Sequence, residues 1–125
     1  MIAAALLALS LVQAPLPSAA DMASGEWLVV GIGRVIAPNQ HPGECFVEGR
    51  VERVVHGRAF RAGVPIALTL RCRAGAMTPI AAAAPEPPTI RAIRSQKHAL
   101  VHVDAGGRVL ANGFWGLGAY DRLRP

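Results

Sequence analysis

Five runs of apolar, β-forming residues punctuate this chain, and a single helix-like stretch falls between the third and the fourth. The runs are Trp27–Ala37, Cys45–His56, Val64–Arg73, Ala99–Asp104 and Val109–Trp115, with Thr89–Lys97 as the helical stretch. Short runs rich in Val, Ile and Leu and bounded by glycine or proline are strands. Three strands, one helix and two strands is the order of an OB-fold, a small barrel that works by binding. The predicted fold class is therefore all-β with one short helix, arranged as a five-stranded OB-fold-like barrel.

Alternation along the runs sorts residues into an inner and an outer face. In the second run Val47, Gly49, Val51 and Val55 share a face with Cys45, while Glu48, Arg50 and Glu52 point the other way. Arg53 falls on the apolar parity, which a β-bulge would accommodate. In the third run Ile66, Leu68, Leu70 and Cys72 oppose Ala67, Thr69, Arg71 and Arg73. The fourth sets Ala99, Val101 and Val103 against His98, Leu100 and His102, predicting a polar outer face there. The first run is apolar on both parities and is interrupted by Gly31 and Gly33, where a barrel strand bends at least cost. Ile36 stands where a dinucleotide fingerprint needs its third glycine, so Gly31-x-Gly33 is not that motif. Thr89 is the expected N-cap, with Ile90, Ile93 and Lys97 at helical spacing. The proline- and alanine-rich stretch Ala74–Pro88 reads as an extended loop. The tail from Gly113 to Tyr120 mixes Phe114, Trp115 and glycine; it suits a plug for the barrel mouth or a stacking platform, and the plug is favoured.

Residues 1–20 have the pattern of a secretory signal. Ile2–Val12 is apolar or small except for Ser10, Pro15 and Pro17 end any helix, and Ser18-Ala19-Ala20 supplies the small residues a signal peptidase requires. The basic residue that ordinarily follows Met1 is lacking. The apolar run is too short for the roughly 20 residues that cross a bilayer, so no stable span is expected in the mature chain. Cleavage before Asp21 leaves residues 21–125 as one domain in the periplasm or outside the cell. In such a compartment an isolated inward-facing pair, Cys45 and Cys72, is most simply one disulfide. Closing that segment would remove about 3.6 kcal/mol of unfolded-state entropy.

The charge balance is 13 basic to 8 acidic residues, net +5, and every basic residue except Lys97 is arginine. That surplus suits an anionic partner, although the arginines are scattered. Catalytic and metal chemistry find little to use. His41, His56, His98 and His102 form no closed ligand set; His102 and Asp104 are close enough along a strand to share an ion but lack a third ligand. The hydroxyls Ser24, Thr69, Thr78, Ser95 and Tyr120 lie in no nucleophile motif. Glu48 and Glu52 flank Arg50 in the manner of cross-strand salt bridges. The expectation is a protein that is not an enzyme, with no catalytic residue, metal or cofactor.

The series Cys45, Val47, Gly49, Val51, Val54, Gly57, followed by Gly63, Ile66, Leu68 and Cys72, resembles the secreted OB-folds of the netrin/metalloproteinase-inhibitor type. Gly49-Arg50-Val51 matches their Gly-Lys/Arg-Val rhythm. The resemblance implies an extracytoplasmic binding role. It does not imply protease inhibition, because those inhibitors begin with a metal-chelating cysteine and this mature chain would begin with Asp21. The expected function is thus an exported module that binds a protein of the cell envelope. Its candidate surface is Arg34, Arg50 and Arg71 with Phe60 and Trp115. The alternative is an electrostatic binder of anionic polymer, single-stranded nucleic acid or acidic polysaccharide, using the same side chains.

Overall fold

The computed structural model describes residues 16–39, 43–74 and 87–118. Within them β1 (Glu26–Ile36), β2 (Gly43–His56), β3 (Pro65–Cys72), α1 (Ile90–Arg94), β4 (His98–Val103) and β5 (Val109–Gly118) follow in chain order. The strands form one antiparallel sheet in the order β3-β2-β1-β4-β5. Its two edges are drawn together at one point. The Thr69 N–H donates to Gly107 O at 3.1 Å, and Thr69 bridges Arg108 in the parallel sense. The sheet is therefore curled into a half-barrel. The first 15 residues of the expected leader, most of the proline-rich loop, His41, Thr78 and Tyr120 lie outside the described residues. None of the described helices is long and apolar enough to cross a membrane.

The concave side holds the main core, and alternation decides what enters it. Leu28 and Val30 come from β1, Val47 and Val51 from β2, Leu68 and Leu70 from β3, and Ala99, Val101 and Val103 from β4. Cys45 and Cys72 are fully buried among them and form a disulfide with Cα atoms 5.9 Å apart. The register explains the fit: Gly43 faces Cys72 and Cys45 faces Leu70, which places the two cysteines diagonally on one face of the β2–β3 ladder.

The helix is shorter than Thr89–Lys97. Thr89 is its N-cap, with extended backbone and a hydroxyl that accepts the Ala92 N–H at 3.0 Å. It ends at Arg94 because the chain is already committed to the sheet three residues on, where Lys97 O accepts the Ile32 N–H. One turn suffices to bury Ile93 completely in the core. Arg94 ties the helix to β1 by donating to Val35 O.

Three expectations need correction. First, Val55 does not share the inward face: the bulge that Arg53 implied is present, with Val29 facing Arg53 and Val30 facing Val51, so Glu52 is an inserted residue. Beyond it the parity inverts, which turns Val54 into the core and sends Val55 and Arg53 to the outer side. Second, the outer face of β4 is only partly polar, because Leu100 is buried between His98 and His102. Trp27, Val29 and Leu100 are buried on the convex side of the sheet and covered by Met22, Val55, Trp115 and Leu117. Third, the described part of the aromatic tail is strand, since β5 continues through it to Gly118. Phe114 packs against the main core and Trp115 lies in the outer cluster, its ring centroid 5.7 Å from that of Trp27.

Candidate binding face

The solvent side of β1, β2 and β3 is built by the same alternation that fills the core. Between the buried residues Cys45, Val47 and Val51, strand β2 turns Glu44, Phe46, Glu48 and Arg50 outward. Strand β3 does the same with Ala67, Thr69 and Arg71. Register then arranges them in rows. Ile36, Phe46 and Thr69 face one another across three strands, and Arg34, Glu48 and Ala67 form the next row. Glu44 opposes Arg71 and also accepts hydrogen bonds from the guanidinium of Arg108. That guanidinium holds the Glu44 carboxyl below the usual carboxylate range, and the carboxylate in turn raises Arg108.

Phe46 stands out in this setting. It is 48% exposed, the most exposed large apolar residue among those described, and it sits between Ile36 and Thr69 with charged residues in the adjacent rows. Sequence reasoning passed over it. The available signal was an aromatic ring on the parity occupied by Glu48, Arg50 and Glu52.

Beyond the Arg34–Glu48 row the face becomes an open trough of about 650 Å³. Its floor is glycine. A Cβ at Gly49 would run into the carbonyl of Gly31, so β1 and β2 cross there at backbone distance. The walls are Arg34, Glu48, Arg50, Glu52, Lys97 and His98. At the far wall the Nδ1–H of His98 donates to both carboxylate oxygens of Glu52, at 2.8 and 3.0 Å. Glu52 thus makes a cross-strand pair of the kind its outer-face position suggests, with a histidine two strands away.

The expected surface residues do not gather into one patch. Arg34 and Arg50 line the trough, and Arg50 also donates to Gly63 O. Arg71 stands in the Glu44 array further along the sheet. Phe60 is half-buried. The Glu26 carboxylate accepts the N–H groups of Arg58 and Ala59, which fixes the β2–β3 connection and turns Phe60 onto the main core. Trp115 belongs to the outer cluster on another part of the sheet.

The histidines are likewise dispersed. His56 Nδ1–H donates to Gly25 O at 2.7 Å, and His102 stacks on Trp27 with centroids 4.0 Å apart and planes 7° from parallel. Burial lowers the His102 pKa from the ordinary histidine value. Among the described residues no three His, Cys, Asp or Glu side chains come together as a metal site. No family model, curated protein or solved structure matches the chain.

Proposed function

We propose that this protein is an exported, disulfide-stapled module of OB-fold type that binds another protein of the cell envelope through the outer face of β1–β3, without catalysing a reaction. The exposed Phe46, seated between Ile36 and Thr69 and rimmed by Arg34, Glu48, Glu44 and Arg71, carries this reading. An apolar anchor inside a polar rim is the anatomy of a protein interface. The path of the chain supports the fold: β1 at the sheet centre, the helix between β3 and β4, and a parallel contact between β3 and the start of β5. A binder of anionic polymer is less well supported, because Arg108 engages Glu44 and Arg34 lies opposite Glu48.

Salt separates the two readings. Oxidised protein used as bait in envelope extract should retain a stoichiometric protein partner through a high-salt wash. Binding to phosphate- or sulfate-bearing polymer weakens steeply with salt. Loss of all bound material at high salt, with recovery of polymer alone at low salt, would overturn the protein-partner reading.

A further inference from the structure

The Glu52–His98 pair takes no part in the Phe46 end of the face, and several features cooperate to build it. Glu52 is the residue that β2 inserts at its bulge. A bulge re-aims a side chain, and this one sends a carboxylate across β1. It crosses at Gly31, where a Cβ would stand 2.5 Å from Glu52 Oε2. It arrives at His98 on β4 and takes the Nδ1–H with both oxygens. A strand irregularity, a missing Cβ and a bidentate contact thus converge on one imidazole.

Fixing Nδ1 as a donor settles the tautomer and leaves Nε2 as the ring nitrogen available to a ligand. The His98 side chain keeps a quarter of its exposure and lines the trough beside Lys97. The acids of the trough already face basic groups: Glu52 holds His98, and Glu48 opposes Arg34 in register. Among the described residues no carboxylate is paired with Lys97.

We propose that this trough binds an oxyanion, a carboxylate or phosphate group, between the Lys97 ammonium and the Nε2–H of protonated His98. The inference rests on reading the outer face as a binding surface, and it specifies what the partner presents at this end. Protonation decides the sign. A neutral His98 whose Nδ1–H points at Glu52 offers a lone pair at Nε2 and repels an anion; the protonated ring offers a donor. The charged groups around His98 are Arg34 from β1, Glu48, Arg50 and Glu52 from β2, and Lys97 beside it in sequence. Gly118, opposite on β5, adds none. Anion affinity is therefore greater with the ring protonated than with it neutral.

The test is a ¹H–¹⁵N NMR titration of the oxidised protein with inorganic phosphate and, separately, acetate, at constant ionic strength and at pH 6 and pH 8. Saturable shifts at His98, Lys97 and Gly31–Gly33 are expected at pH 6, with binding about tenfold weaker at pH 8 and in Lys97→Ala. Glu52→Gln keeps the size of the side chain but replaces the carboxylate that holds the ring with both oxygens, and should weaken binding several-fold at pH 6. Phosphate gains negative charge over this interval and acetate gains almost none, so weaker binding at pH 8 reports the protein. The two ligands separate phosphate recognition from carboxylate recognition. Equal binding at both pH values, unsaturable shifts spread over the arginines, or unchanged binding in Lys97→Ala would overturn the site. Failure of both anions while partner capture persists rejects this inference alone; anion binding without capture rejects only the protein-partner reading.

Discussion

The sheet has two buried sides, and they are built on different terms. The concave side is enclosed by all five strands, sealed by Ile93 and stapled by the Cys45–Cys72 disulfide. The convex side around Trp27, Val29 and Leu100 is covered by half-buried groups, Met22 from the segment before β1 and Trp115 and Leu117 from the final strand. The Trp27 indole N–H donates to Ser24 O at 2.8 Å and helps hold that segment in place. A core enclosed by strands cannot relax around a deletion, whereas one roofed by half-buried side chains can partly collapse. The difference teaches that a strand apolar on both parities is sandwiched, even in a domain this small.

Removing the staple should have the largest effect. Cys45→Ala/Cys72→Ala is expected to lose about 3.6 kcal/mol of stability, read from urea denaturation of oxidised wild type against the double variant. A loss below about 1 kcal/mol would mean that the concave side does not depend on its cross-link. Leucine truncation then compares the two sides directly. Leu68→Ala should cost about 3 kcal/mol and Leu100→Ala about 2 kcal/mol, since both are almost wholly buried but only the second has neighbours free to close in. A reversed order would break the comparison.

A smaller effect belongs to His102. Its pKa is lowered in the folded protein, so the unfolded chain takes up the proton first as pH falls through about 6.5. Stability should decline from pH 7.5 to pH 5.5, and His102→Phe, which keeps a ring on Trp27, should decline less. The Asp21 and Glu44 carboxyls are held below their ordinary values and contribute only at lower pH, outside this window. Identical slopes for wild type and variant would show that cation–π attraction from the indole offsets the desolvation.

Much of the concave side was legible in the sequence. Strict alternation in Ile66–Cys72 and Ala99–Val103 put the right residues inside, and the two cysteines followed from the same parity. The Glu52 bulge could be suspected from Arg53, but which residue is inserted depends on pairing with β1, and that is not local information. The convex cluster had one visible sign, the double-sided first strand; apart from Met22, its lid comes from residues distant from that strand, Val55, Trp115 and Leu117. The contact of Phe60 with the core was not legible, because the carboxylate that fixes its loop, Glu26, lies on another strand. Of the candidate site, Arg34 and Arg50 were found because exposed arginines show in a strand pattern. Phe46 was not, and the pairing of Glu52 with His98 needed a register that only the folded sheet supplies.

The most direct test of the binding face compares two exposed apolar residues as bait variants in envelope extract. Phe46 lies at the centre of the β1–β3 face, and Leu110, 37% exposed, lies on β5, outside the row of Ile36, Phe46 and Thr69. The account predicts that Phe46→Ser releases the salt-resistant partner, lowering recovery at least tenfold, while Leu110→Ser retains it. Full recovery by Phe46→Ser, or loss with Leu110→Ser alone, would contradict it.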